Sequence, residues 1–175
     1  MIVEFRTYRL KPGSIAEAEK RFGEGLTNRT KVSPLGAFWH TEVGPLNRII
    51  HVWPYEDFAH RAQIRSQKID GWPPKIQEFI EEMNSEIFIP APFSPKLEPR
   101  QLGGIYEIRT YTMAPGAIPG QIDRWATAID KRTELSPLAF AGHSELGGLN
   151  RWRHIRATRI RPRPPARLAP GHPFV

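Results

Sequence analysis

The sequence predicts an α+β chain of two tandem ferredoxin-like units, the second incomplete, packed sheet to sheet as a pseudo-dimeric α+β barrel. Three observations lead there. One motif returns at a constant offset of 103 residues, each copy carries a strand-helix-hairpin pattern, and the correspondence between copies stops after His154.

The repeat is read directly. Glu4-Phe5-Arg6-Thr7-Tyr8 with Pro12-Gly13 returns as Glu107-Ile108-Arg109-Thr110-Tyr111 with Pro115-Gly116. Without a gap, the same offset carries Arg29-Thr30 onto Arg132-Thr133, Ser33-Pro34-Leu35 onto Ser136-Pro137-Leu138, His40 and Glu42 onto His143 and Glu145, and Leu46-Asn47-Arg48 with His51 onto Leu149-Asn150-Arg151 with His154. After His51 the first copy continues Val52-Trp53-Pro54-Tyr55, whereas the second turns into an Arg/Pro/Ala run with little apolar content. Such a run cannot pack a core, so residues 156–175 are expected to be a disordered tail. A frameshift in GC-rich coding DNA, replacing the last helix and strand of the second copy, is the hypothesis that accounts for it; resequencing the gene tests this.

The elements follow in order. Residues 2–10 alternate and end at Lys11-Pro12-Gly13, which reads as a strand and turn. Ser14 with Glu17 forms a capping-box signature, and Ile15, Ala18, Phe22 and Leu26 recur at helical spacing, as do Ile118, Ile122, Trp125 and Ile129 in the second copy. Residues 36–43 and 47–54 read as two strands around Gly44-Pro45-Leu46, with Gly147-Gly148-Leu149 as the counterpart turn. Asn47 and Asn150 are expected as turn residues rather than catalytic ones. A helix is predicted from Tyr55 to Asp70, Gly71-Trp72-Pro73-Pro74 interrupts it, and Ile76, Phe79, Ile80 and Met83 resume helical spacing before a final strand at Glu86–Ile89. The domain boundaries are therefore 1–90 for the first unit, 91–103 for a linker, 104–155 for the second unit and 156–175 for the tail. A sheet covered by helices on one face needs its other face buried, so the two units should close on each other. The incomplete copy should leave an uncovered edge strand and helix-binding face that favour association, hence the expectation of a homo-oligomer.

Composition excludes several classes. With no cysteine there are no disulfides, thiolate metal sites or thiol nucleophiles. No apolar run is long enough for a membrane span, and the N-terminus reads as a strand, so a cytoplasmic address is expected. The net charge of +7 suggests nucleic acid, yet seven arginines between Arg151 and Arg167, with no Asp or Glu after residue 150, account for all of it. The tail lacks interleaved aromatics, and no specific nucleic-acid binding is expected.

At these residues the chain resembles the NIPSNAP family, on Tyr106 to Tyr111 with Pro115-Gly116 and on Gly44 to Tyr55. The resemblance covers residues 2–155 and implies a tandem dimeric α+β-barrel fold, similar to that of antibiotic-biosynthesis monooxygenases. It implies no shared enzymatic activity, so function must come from the site. The chain departs from the pattern where Trp53, Pro54 and Tyr55 give way to Arg156, Ala157 and Thr158.

Alternation along the first strand puts Glu4, Arg6 and Tyr8 on one face and Val3 and Phe5 on the other. The apolar set is expected to meet the helices and the polar set to face the opposing sheet. The candidate ligand-binding residues are then Arg6, Tyr8, His40, Glu42, His51 and Trp53, with Arg109, Tyr111, His143, Glu145 and His154 in the second copy. Arg6 could clamp a carboxylate or enolate, Tyr8 and His40 could exchange a proton, and Trp53 could form an apolar wall. Three alternatives stay open: cross-strand ion pairs filling the space, a small organic ligand, or a two-His-one-carboxylate metal site on His40, Glu42 and His51. No catalytic residue, cofactor or metal is assigned. A non-catalytic module that binds a protein partner or a small ligand is the leading reading, and a cofactor-independent, monooxygenase-like enzyme is the alternative.

Overall fold

The computed structural model describes residues 1–158. The chain runs through β1 (Ile2–Leu10), α1 (Ile15–Val32), β2 (Ala37–His40), β3 (Arg48–Tyr55), α2 (Phe58–Ser66), a 3-10 turn at Gln77–Phe79, β4 (Ile80–Pro90), β5 (Ile105–Thr112), α3 (Ile118–Leu135), β6 (Leu138–Leu146) and β7 (Arg151–Thr158).

The duplication holds down to single bonds. Helices α1 and α3 are both 18 residues long and begin 103 residues apart. Asn47 and Asn150 take left-handed φ angles of 57° and 53°. Their carbonyls accept from the Leu10 and Met113 amides, each at 2.7 Å. A left-handed turn tolerated by Asn is what joins each hairpin.

Three local expectations are corrected. The helical spacing at Ile76–Met83 is not a helix, because β4 begins at Ile80 and pairs with β1 from Leu10↔Ile80 to Val3↔Phe88. Pairing along a full-length neighbour overrides a short helical pattern. Ser14 sits at the start of α1 but does not cap it; its hydroxyl donates to the Lys11 carbonyl at 2.6 Å, and Glu17 instead accepts from Arg21. The expected tail boundary at 156 is too early, since β7 continues to Thr158 with Arg156 and Ala157 buried. The disorder and frameshift expectations for 159–175 lie outside the described residues.

The seven strands of the described residues form one antiparallel sheet in the order β2-β3-β1-β4-β6-β7-β5. The halves join edge to edge through β4 and β6, with a bulge between Ile87 and Phe88. The sheet curls until its ends approach: Trp39 of β2 and Tyr106 of β5 have ring centroids 5.2 Å apart. Inside the curl, Val3, Phe5, Val52, Phe88, Phe140 and Ile155 from both halves form one apolar cluster. The edge-to-face contacts Phe5–Phe88 and Phe5–Phe140, at 5.3 and 5.1 Å, lock it, each contributing about 1 kcal/mol beyond area burial. Helices α1 and α2 cover the outer face of the first half, and α3 covers that of the second.

The two units thus close on each other, but with their faces exchanged. Val3 and Phe5 point into the barrel, and Glu4, Arg6 and Tyr8 lie on the helix side. The barrel interior is lined from both halves and takes the apolar set. On the helix side, long arginines from α2 reach the buried carboxylate while keeping part of their length in water.

Candidate functional site

In the first half the polar candidates form a filled cluster under α1 and α2. Glu4 is fully buried and accepts from Arg6 Nη1 at 2.9 Å, from Arg61 through Nε and Nη2 at 2.9 Å each, and from the Ser85 hydroxyl at 2.7 Å. Burial alone would raise the Glu4 carboxyl, yet hydrogen bonds from Arg61 and Ser85 and the charges of Arg61 and Arg6 prevail and bring it down to about 2. Arg6 also donates from Nε to the Tyr8 hydroxyl at 2.8 Å.

Beside them, the Trp53 indole donates to His51 Nδ1 at 2.6 Å. His51 therefore carries its proton on Nε2, which is buried without a partner. Its ring packs between Tyr8 and Phe22 at 4.9 and 4.8 Å. Burial, reinforced by the Arg6 charge, pushes its pKa down to about 3. Arg29 stacks on Trp53 at 4.2 Å and donates to the Tyr55 hydroxyl at 3.2 Å. Of the first-copy candidates, Arg6, Tyr8, His51 and Trp53 come together here.

His40 and Glu42 do not join them. His40 is exposed on β2, with Nδ1 at 2.6 Å from Glu19 of α1 and Nε2 at 2.7 Å from Glu42, and these carboxylates raise its pKa. Both its nitrogens are engaged, as is Nδ1 of His51, so the proposed metal triad does not converge. Among the described residues no group of three His, Cys, Asp or Glu side chains is placed to hold an ion.

In the second half the same residues lie largely open. Arg109 and Glu107 pair at 2.7 Å with about half of each side chain exposed, and Tyr111 is 43% exposed. His143 is half-buried on β6 and Glu145 is exposed near its end. His154 is buried, stacks on Tyr111 at 5.8 Å, and contacts Trp125 at 4.6 Å. Burial, with the charges of Arg156 and Arg109, lowers its pKa to about 4. Arg156 stands at the position of Trp53, and the indole donor is missing, so His154 Nδ1 is buried without a partner.

Sequence reasoning missed the charges inside the barrel. Glu86 accepts from Arg153 at 2.7 Å and from Arg151 at 2.5 Å, and the Arg153 guanidinium lies 4.2 Å over Phe88 and 4.8 Å over Phe5. The signal is Arg151-x-Arg153 alternating toward the inner face of β7, and it is hidden because these arginines open the acid-free basic run that continues to Arg167. Arg61 and Ser85 were missed for a different reason: nothing in the sequence places α2 or β4 over Glu4.

Fold and geometry together define a barrel of two ferredoxin-like units in which, among the described residues, no strand lies between β5 and β2, and whose first-half polar cluster is filled by its own side chains. The NIPSNAP family profile matches residues 3–95 and 106–159, and the chain belongs to that family. It is 33% identical over 157 residues to the human protein NipSnap homolog 3A, a match covering 85% of this chain and 63% of that relative. An uncharacterised NIPSNAP-like domain protein from Burkholderia xenovorans superposes with a TM-score of 0.50 at 34% identity, covering 56% of this chain and 91% of its own. One nearly whole protein of that kind corresponds to a little over half of this chain, as the duplication requires. A candidate monooxygenase from Fusobacterium nucleatum shares the fold, with a TM-score of 0.64 at 10% identity over 89% of this chain and 74% of its own. No helix among the described residues is long and apolar enough to cross a membrane.

Proposed function

We propose that the chain is a non-catalytic interaction module, whose barrel is a scaffold and whose open second half is the working surface. The observation that supports this reading is the saturation of the polar cluster that gathers the first-copy candidates: Glu4 has four donor contacts, and the His51–Trp53 bond closes the space beside it. A site awaiting a substrate needs free, convergent polar groups in a cavity. Here the convergent groups bind one another.

A panel of small organic acids and aromatic compounds should leave the melting temperature unchanged, while affinity capture should return a protein at one-to-one stoichiometry. Saturable turnover, or a ligand-induced thermal shift abolished by Arg6→Ala with folding intact, would overturn the reading in favour of a cofactor-independent enzyme. The proposal includes a cytoplasmic location, which cell fractionation tests.

A further inference from the structure

The sheet ends on β2 and β5, and the repeat identifies what a closed barrel would hold between them. Strand β4 lies between β1 and β6. The 103-residue offset carries β1 onto β5 and β6 onto β2, so among the described residues the position equivalent to β4 is open between β5 and β2. We propose that this seam accepts one extended strand from a partner protein, bearing an acidic residue two positions before an aromatic one, as in Glu86-Ile87-Phe88. The proposal rests on the interaction reading and names its surface and partner.

The chemistry of the strand is set by what β4 does in its own position. Phe88 lies opposite Val3 and Glu86 opposite Phe5. Their counterparts on β5 are Tyr106 and Ile108. An aromatic residue entering opposite Tyr106 would meet a cavity of about 390 Å3 lined by Ala37, Trp39, Leu97, Leu102 and Tyr106. The acidic residue is called for by Arg48. In the filled half, Arg151 donates to Glu86 at 2.5 Å. Arg48 is its counterpart, and Arg48 Nε is buried with no partner among the described residues. A buried guanidinium N–H without an acceptor is costly, and an incoming carboxylate at the Glu86 position supplies one.

Two other occupants fit poorly. From residue 151 onward the chain has no Asp or Glu, and prolines at 162, 164, 165, 170 and 173 leave no long run of backbone donors for a ladder. A second copy offering its β5 edge would bring its β7 as well. Trp39 and Tyr106 meet across the seam with ring centroids 5.2 Å apart, which favours a single strand over the β5–β7 pair of a second copy.

The test uses the intact chain and a fluorescent peptide with the sequence of residues 79–91, followed by anisotropy and hydrogen exchange. Saturable one-to-one binding is expected, with new amide protection on β5 and β2. Glu86→Gln in the peptide, or Arg48→Gln in the protein, should each weaken it about tenfold or more, and the Arg48→Glu protein should regain affinity for the Glu86→Lys peptide. A peptide carrying Ser85→Pro and Ile87→Pro should not bind. The peptide variants keep the test valid if Arg48 variants fold poorly. The proposal is overturned if the parent peptide does not bind, if the proline peptide binds equally, or if protection changes at β1 and β6, which would mean displacement of β4. It is also overturned if self-association through β5 blocks the site. A captured partner that binds while the peptide does not would leave the interaction reading standing and remove the seam; Arg6-dependent turnover would remove the interaction reading itself.

Discussion

The first strand of each half carries the same motif, and the two motifs live in different environments. Glu4, Arg6 and Tyr8 are flanked by β3 and β4 and lie under two helices, whereas Glu107, Arg109 and Tyr111 sit on the edge strand with only α3 nearby. The pair Glu4–Arg6 and the pair Glu107–Arg109 are nearly equal in length, 2.9 and 2.7 Å. Distance therefore says little about the worth of an ion pair. Surroundings decide it: the first carboxylate is dry and must keep every donor, and the second is solvated and screened.

The largest expected effect that separates the halves is on acid stability. His51 has a folded pKa of about 3 and His154 of about 4, both below the ordinary 6.5. A lowered histidine pKa means the unfolded chain takes up the proton first. Stability is therefore full above pH 6.5 and falls as the pH drops toward the folded value. At about 1.4 kcal/mol per pH unit, His51 alone removes on the order of 4 kcal/mol by pH 3. Glu4, lowered from 4.5 to about 2, adds its own loss as the pH falls below 4.5. An NMR titration should show the His154 ring protonating before that of His51; the reverse order would break the contrast in shielding between the halves.

Next in size is the matched pair of carboxylate deletions. Glu4→Gln leaves Arg6 and Arg61 without their buried counter-charge and should cost about 3 kcal/mol or more in denaturant unfolding. Glu107→Gln should change nothing measurable, since its partner is solvated. Equal losses would mean that the second half is covered as the first is. Glu86→Gln lies between these cases in position, because the Glu86–Arg153 bond spans the two halves. It should cost about 2–4 kcal/mol and reduce the cooperativity of unfolding.

These contrasts also mark how far the sequence could be read. The duplication, both hairpins and the strand–helix order were legible because they are written in local patterns, such as Asn47 and Asn150 at left-handed turns. The orientation of the sheet was not. Alternation separates Glu4 from Phe5 but carries no sign, and the sign is fixed by Arg61, 57 residues away on α2. Strand β4 was misread for a related reason. Its pattern is ambiguous alone and is settled by pairing with β1 on one side and β6 on the other. Of the candidate residues, those gathered around Glu4 form a real constellation, but Arg61 and Ser85, which complete it, belong to segments whose placement is non-local.

The smallest expected effect is the most pointed. Arg156 replaces the indole that in the first half holds its histidine, and His154 Nδ1 is left buried and unpartnered. Arg156→Trp would restore the donor seen at 2.6 Å between Trp53 and His51. It would also remove the bond from Arg156 to the Ser136 carbonyl at the end of α3, 2.9 Å long. A gained neutral bond and a lost charged one nearly offset, so the net change should stay within about 1 kcal/mol. The spectroscopic change should be large by comparison: a new buried indole N–H resonance, and a His154 Nδ1 shift that marks it as an acceptor. If the ring is untouched by the substitution, position 156 is not equivalent to position 53 in space, and the two halves match in sequence further than they match in structure.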